Sequence, residues 1–444
     1  MRLRYAVVRR TPVHPAADQL NQRLSGTVVR RMLSRLGEQM FFPRGIVAQA
    51  AEAAAQADRF DATVGMAYSQ GEPIMLNSIR EAVPGIPPKQ SVGYSPTPGN
   101  ARLRQRWKEE MIRKNPRLEG AATSLPMVTP GLTNGLCHTA DLFCDPGDVL
   151  ILPDMYWGNY NLLFGVRHGV QIVTYPFFDR SGGFNTDGLR EAISQHSGPR
   201  GVRVLLNFPN NPTGYAPSTA EAAAILQVLV GAADHTDIML ICDDAYFGLF
   251  YDDDIETESM FSLAAAAHPN LLTVKIDGAT KEDYVWGFRI GFITIAAAGL
   301  EADHFAAWDD KLTGSIRSNV SNGNTLGQSL LLQAMNQPDY HQEKQRIASE
   351  LRHRYQIVRD IVSREPYSQP DFPLQPMPFN SGYFMAFRCT NGRAEEIRTR
   401  LLSKGIGVIA FGDHLVRVAY AGVDPESLPE LYAIIASVAR ETME

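Results

Sequence analysis

The chain has 444 residues, 44% hydrophobic and 20% charged, with a net charge of -6 and a pI of about 6.0. That length allows one large and one small domain with sizeable cores. The mild acidity excludes a broad basic field for nucleic acid or an anionic membrane. No apolar run reaches the ~18 residues of a membrane span. Cys137, Cys144, Cys242 and Cys389 are scattered without a CxxC pair, and the ten histidines include no HExxH. Neither a disulfide framework nor a metal site is expected, and the expected location is cytoplasmic.

The start, MRLRYAVVRR, carries four arginines in ten residues but no apolar h-region. It reads as an exposed arm, 1–44, rather than a secretory signal. AQAAEAAAQADRF follows as a good helix former, expected to pack with a smaller second domain to which 45–84 contributes. Through 85–325, strand-like runs alternate with helical ones. VLILP (149–153), VQIVTY (170–175), VRVLLNF (202–208), IMLICDD (238–244), LLTVKI (271–276) and GFITIA (291–296) read as short buried strands. TDGLREAISQH and STAEAAAILQVLVGAA read as helices between them. This repetition predicts a mostly parallel sheet wrapped by helices, with ligands beyond its carboxyl edge. From about 297 to 363 long helices are expected. A Pro-rich loop, EPYSQPDFPLQPMPFN, then leads to strand GYFMAFR, helix AEEIRTRLLSKG, strand VRVAYAG and a last helix. That α+β pattern completes the small domain, 326–444.

Five polar segments fall at strand ends. In VTPGLTNGL (128–136) a strand meets Gly131 and a helix begins; its free N–H groups, with Thr133, suit a phosphate, although an ordinary strand-to-helix turn would look the same. MYWGNY (155–160) offers rings that stack on a flat ligand or fill a core. NFPNNPTGY (207–215) is a rigid turn whose paired asparagines turn chemistry alone explains poorly. In CDDAYFG (242–248), Asp243 closes a buried strand, so it meets a cation or else faces water; Tyr246 lies on the same turn. GATKEDYVWGFRIG (278–291) places Lys281 eight residues before Arg289. These are a reactive amine beside an anion clamp, or ordinary loop residues.

In this order, NNPTGY, DDAY, the TK….GFRIG spacing and VRVAYAG resemble the aspartate aminotransferase superfamily: class I/II pyridoxal phosphate enzymes of fold type I. The resemblance spans about 60 to 420. It implies a large domain with a mostly parallel seven-stranded sheet flanked by helices, and a small α+β domain. It also implies that Lys281 forms the Schiff base with pyridoxal 5'-phosphate and later moves a proton, while Asp243 pairs with the pyridinium nitrogen. Tyr246 and Asn211 would bond the phenolic oxygen. Gly131, Leu132, Thr133, Thr280 and Arg289 would hold the phosphate, with Tyr94 of GYSPTPG reaching it from a neighbouring subunit. Trp157 would stack on the ring, with Tyr156 beside it as the alternative. Arg417 would grip the substrate α-carboxylate, and Gly65 would lie over the substrate. Gly278 stands where many relatives carry a phosphate-binding serine.

SIRSNVSNGN (315–324) resembles the segment whose arginine reaches across the dimer to a distal carboxylate. Arg317 takes that role, or is a helix-surface arginine. The implied activity is transfer of an α-amino group from an L-amino acid, aspartate or glutamate favoured and aromatic residues admitted, to a 2-oxo acid. The implied assembly is a homodimer, with no nucleic-acid or membrane partner. The same scaffold also supports lyases, decarboxylases and ligand-binding regulators.

Overall fold

A computed structural model describes residues 13–23, 46–63, 67–70, 72–82, 85–198 and 200–443. Its centre is a seven-stranded sheet: β1 (Met127–Thr129), β2 (Val149–Pro153), β3 (Gln171–Tyr175), β4 (Val202–Asn207), β5 (Ile238–Asp243), β6 (Leu271–Asp277) and β7 (Gly291–Ala296). The order is β1-β7-β6-β5-β4-β2-β3. Only β7 runs against its neighbours, so the other strands all point their carboxyl ends to one edge. Every residue of β4, β5 and β7 is buried, as expected of apolar runs covered by helices on both faces.

The six expected strands are found within two residues of their expected ends. One expectation of burial fails, for VQIVTY. As β3 it closes the sheet's margin, and only Tyr175 of its five residues is buried. The expected helices form at Thr186–His196 and Thr219–Ala233. Ser218 caps the second in a capping box with Glu221, satisfying two otherwise free N–H groups. The long helices after β7 are Ala302–Asn319, Thr325–Met335 and Tyr340–Val362.

The last third builds a four-stranded antiparallel sheet from β8 (Leu374–Pro376), β9 (Met385–Cys389), β10 (Ile409–Phe411) and β11 (Leu415–Val418), in the order β8-β9-β11-β10. The sequence pattern had pointed to β9 and β11 alone. β8 hides in the Pro-rich loop, and Pro376 is tolerated there because β8 is an edge strand. The alanine-rich helix Ile46–Gln56 joins this smaller unit. The Gln49 amide donates to the Ala410 carbonyl at 2.9 Å and accepts its N–H at 2.8 Å. Phe60–Asp61 pairs with Ile406–Gly407.

Among the described residues no helix is long and apolar enough to cross a membrane. The arm 1–44 lies outside the described residues apart from Val13–Arg23, and Gly65 lies outside them altogether.

Candidate active site

Parallel strands bring the polar segments to one edge. β5 carries Asp243 to its carboxyl end, where it is 3% exposed. The water-facing alternative for this carboxylate is therefore excluded. Tyr160 donates to Asp243 Oδ2 at 2.6 Å and the Ala245 N–H to Oδ1 at 3.2 Å. Burial pushes the carboxyl pKa up, against the Tyr160 hydroxyl and the charge of Lys281. A buried carboxylate whose pKa burial raises is stabilised by a cation placed against it.

Lys281 follows β6 on the short helix Ala279–Glu282. It is half-buried, with its amine 4.8 Å from the centre of the Tyr246 ring. Burial pulls its pKa down to about 8; Arg289 lowers it further and Asp243 opposes. An amine so shifted is neutral in a sizeable fraction near physiological pH, as a nucleophile or proton carrier must be. The turn is fixed from several sides. Tyr383 donates to the Lys281 carbonyl at 2.9 Å. The next two residues are clamped by ion pairs: Glu282 to Lys114 at 2.7 Å and Lys344 at 3.1 Å, Asp283 to Lys344 at 3.0 Å.

Three glycines bring the anion-binding segments together. Gly131, at φ +83°, opens the helix Leu132–Phe143. A Cβ there would stand 2.3 Å from a guanidinium nitrogen of Arg289, and a Cβ on Gly291 would stand 2.7 Å from the Leu132 nitrogen. On Gly278 it would meet the Ile290 carbonyl oxygen at 2.6 Å. The missing serine at this position thus has a steric reason. Thr280 is buried, and among the described residues its hydroxyl has no partner. Arg289 is exposed, and Thr133 is half-buried in the first turn of its helix. Free helix-start N–H groups, an unpartnered hydroxyl and a guanidinium converge as a phosphate site requires.

The paired asparagines divide their work. Asn210 organises the turn, accepting the Thr213 hydroxyl at 2.8 Å and donating to the Met155 carbonyl at 3.1 Å. Asn211 takes a guanidinium hydrogen bond from Arg417 at 2.9 Å. Arg417, on β11, is 4% exposed and donates also to the Thr63 carbonyl at 2.9 Å. Its guanidinium carbon lies 4.2 Å from the centre of the Phe384 ring, and among the described residues its Nε has no partner. Burial pulls its pKa down to about 10, which leaves it charged at neutral pH.

Trp157 and Tyr156 are both half-buried. Trp157 meets Tyr160 edge-on at 5.6 Å, whereas Tyr156 stacks on Tyr160 at 6.3 Å and donates to Asn161. Tyr94 is 95% exposed. Arg317 is exposed in the last turn of its helix, donating to Ser321 Oγ at 2.6 Å. The single chain therefore brings together Lys281, Asp243, Tyr246, Thr280, Arg289, Gly131, Leu132, Thr133, Asn211 and Arg417, with Trp157 adjoining them through Tyr160. It does not bring Tyr94 or Arg317 into that group. The sequence reading missed Tyr160, Tyr383 and the Lys114–Lys344 clamp. Tyr160 was within sight, as the last residue of MYWGNY, three after the tryptophan on the turn that follows β2.

Buried Asp243, the amine of Lys281 and the guanidinium of Arg289 against the opening turn of the helix Leu132–Phe143 are thus gathered at the strand ends. The chain belongs to the aminotransferase class I and II family, whose model matches residues 65–435 and whose cofactor is pyridoxal phosphate. Aspartate aminotransferase of Rhizobium meliloti is 31% identical over 205 residues, covering 45% of this chain and 46% of that one. Aspartate/prephenate aminotransferase of Thermus thermophilus is 27% identical over 370 residues, covering 80% and 86%. The chain spans about half the length of the first of these relatives and most of the second. A solved aminotransferase of Anaerococcus prevotii superposes with a TM-score of 0.80 at 24% identity, over 93% of this chain and 100% of that one. This likeness is one of fold.

Proposed function

We propose that the protein is an aminotransferase that moves the α-amino group of an L-amino acid to a 2-oxo acid in two half-reactions of a ping-pong cycle. Aspartate and glutamate are the favoured donors, aromatic amino acids are admitted, and 2-oxoglutarate is the expected acceptor. The observation that carries this reading is the setting of Lys281: its amine lies 4.8 Å from the Tyr246 ring centre, and burial pulls its pKa down to about 8, with Asp243 opposing and Arg289 assisting.

In this reading Gly131, Leu132, Thr133, Thr280 and Arg289 hold the phosphate of pyridoxal phosphate. Trp157 covers its ring, Asp243 faces its ring nitrogen, and Asn211 and Tyr246 face its phenolic oxygen. Bound there, the cofactor supplies the electron sink for cleavage of a bond to the substrate Cα. Arg417 receives the substrate α-carboxylate through its two-pronged guanidinium, oriented by Asn211. Gly65 borders the same substrate. Lys281, once its amine is free and neutral, takes the proton from Cα and returns it. Residues 85–325 form the unit that carries the cofactor, and 45–84 with 326–444 the smaller unit. Tyr94 and Arg317, outward-facing in one chain, serve the partner's site in a homodimer: Tyr94 at the phosphate and Arg317 at the distal carboxylate. The work is done in the cytoplasm.

The test is absorbance of the protein with added pyridoxal phosphate, titrated with single amino acids and no keto acid. Discharge by aspartate or glutamate to the pyridoxamine form, with the matching keto acid released, is the expected result. Ammonia or carbon dioxide as product would replace the reading by a lyase or a decarboxylase.

A further inference from the structure

The buried Arg417 guanidinium is held from two sides by distant parts of the chain. Asn211 Oδ1 takes one hydrogen from Nη1 and the Thr63 carbonyl takes one from Nη2, each at 2.9 Å. A guanidinium has five N–H donors in one plane. Among the described residues each terminal nitrogen of Arg417 therefore keeps one N–H free, which suits the two oxygens of a carboxylate. The orientation of those free donors depends on where the Thr63 carbonyl stands.

Thr63 is 2% exposed and closes a short extended segment. Phe60–Asp61 pairs with Ile406–Gly407. The Ala62 N–H then donates to the Gly407 carbonyl at 3.0 Å, and the Ala419 N–H to the Ala62 carbonyl at 2.8 Å. Ala419 is two residues after Arg417, so the segment lies alongside the end of β11. Gly407 permits the close approach: a Cβ there would lie 2.5 Å from the Ala53 Cβ, 3.2 Å from Thr63 Cγ2 and 3.3 Å from Asp61 Oδ1. One side-chain atom then fixes Thr63. Asp61 Oδ1 accepts the Thr63 N–H at 3.0 Å and the Thr63 hydroxyl as well. An aspartate that bonds the backbone two residues on sets the local chain direction. With its N–H and its side chain tied to one oxygen, Thr63 presents its carbonyl to Arg417 in a single setting. Asp61 acts at one remove, since the hydrogen bonds of Arg417 itself go to Asn211 and Thr63.

We propose that Asp61 is a positioning residue for the α-carboxylate clamp: through Thr63 it fixes the carbonyl against which Arg417 is set, so that a substrate's α-carboxylate meets a guanidinium already aligned. Alignment before binding removes the cost of ordering that long side chain when the substrate arrives. The proposal rests on the reading in which Arg417 receives the α-carboxylate.

The experiment compares the wild type with three variants, all loaded with pyridoxal phosphate. Asp61→Ala removes the acceptor, Asp61→Asn keeps an oxygen in its place, and Thr63→Val removes only the hydroxyl's bond. The first half-reaction is followed with aspartate, glutamate and phenylalanine. In Asp61→Ala the half-saturating concentration of each should rise about fivefold to tenfold, the size of one hydrogen bond's net contribution, with the limiting rate and cofactor retention within about twofold of wild type. Asp61→Asn should restore most of the loss, and Thr63→Val should show a smaller rise of the same kind. Calorimetry with succinate and 3-phenylpropionate, which carry no amine to react, reads the clamp without chemistry. Asp61→Ala should weaken both by a similar factor, because a carboxylate is what the two share. Equal or absent binding of these acids in both proteins, with unchanged half-saturation, would overturn the positioning role and leave the aminotransferase reading standing. An equal loss in limiting rate and cofactor retention would overturn it too, since a residue that only supports the fold disturbs all three alike. Asp61→Asn as impaired as Asp61→Ala would remove the accepted hydrogen bonds as the cause, and the proposal with them. Should Asp61→Ala not fold, Thr63→Val decides on the same two readouts. Failure of the wild type to convert any amino acid would end the aminotransferase reading, and the calorimetric comparison would still decide for or against Asp61.

Discussion

Asn211 and Arg417, 206 positions apart, meet through a 2.9 Å hydrogen bond that joins the end of β4 to β11 of the smaller sheet. The bond pre-orients the guanidinium, and it presents Asn211 and Arg417 to the same small space. Replacing Asn211 by Ala leaves a buried N–H of Arg417 without a partner, a cost of about 1–3 kcal/mol. We expect higher KM for every amino acid tested, together with weaker cofactor retention, since the proposed reading assigns both functions to this amide. Arg417→Ala should cost more in kcat/KM, about 2–5 kcal/mol, as expected when a carboxylate loses a desolvated partner. Steady-state kinetics on two unrelated amino acids checks both; a defect confined to one of them would separate Arg417 from the α-carboxylate.

Lys281 gives the pH prediction. Its amine is protonated below about pH 8 and neutral above it, so capture of pyridoxal phosphate by the cofactor-free protein should accelerate as pH rises through that value. Arg289 lowers this pKa and Asp243 raises it. Arg289→Gln should therefore move the midpoint up, and Asp243→Asn should move it down. Stopped-flow absorbance measures the midpoint, and a shift of the opposite sign in either variant would break the assignment. Lys281→Ala should bind the cofactor weakly and show no turnover.

In the proposed mechanism Tyr160 would act on the reaction through Asp243. Its hydroxyl, 2.6 Å from Oδ2, stabilises the carboxylate against the burial that pushes its pKa up. In Tyr160→Phe that support is lost, and Asp243 is protonated more readily. A hydrogen bond to a charged group contributes about 1.5–3 kcal/mol, so kcat should drop by roughly tenfold or more. The loss should be greatest at low pH, where the carboxylate is least charged. A uniform loss across pH would mean that the tyrosine only fills space.

Much of this was legible from the chain alone, for identifiable reasons. β4, β5 and β6 are apolar runs closed by Asn207, Asp243 and Asp277, and a parallel sheet gathers such ends on one edge. Lys281 and Arg289 flank one loop, so their spacing carried its meaning locally. Contacts set by packing were not legible. Lys114 and Lys344 sit on ordinary charged helices, and nothing in their spacing points to Glu282. Tyr160 looked like any core aromatic until its hydroxyl found Asp243. β8 was masked by prolines that only an edge strand admits. The outward aim of Tyr94 and Arg317 depends on a second copy, which one sequence does not describe.

The Lys344 clamp predicts a stability defect with a defined pH dependence. Burial alone would raise the Glu282 pKa, but Lys114 and Lys344 overcome it and hold the carboxylate well below its usual 4.5, at about 2. A depressed carboxyl pKa stabilises the folded state at pH above 4.5, and that contribution is lost as pH falls towards 2. Lys344→Met leaves Glu282 and Asp283 short of a partner, at a cost of about 3–5 kcal/mol. Urea unfolding of the cofactor-free proteins at pH 7 should show this gap, and it should narrow in acid.

Gly278 gives a substitution for which resemblance and structure predict opposite results. Resemblance to relatives with serine here suggests that Gly278→Ser adds a phosphate hydrogen bond and tightens cofactor binding. The structure argues otherwise. At φ 167° the backbone is extended and accepts any residue, so the obstacle is space. A Cβ would lie 2.6 Å from the Ile290 carbonyl oxygen and 2.9 Å from the Gly291 Cα. Both are backbone atoms where the chain enters β7 after Arg289, and they yield only by moving the start of that strand. Overpacking of this kind costs about 1–3 kcal/mol. Gly278→Ser is therefore expected to unfold more easily and to release pyridoxal phosphate faster than the wild type. Gly287→Ser, on the same loop with nothing within 4 Å of its added Cβ, should do neither. Equilibrium dialysis of the cofactor and thermal unfolding of the three proteins decide the matter, and tighter binding in Gly278→Ser would show that the three-glycine contact gives way.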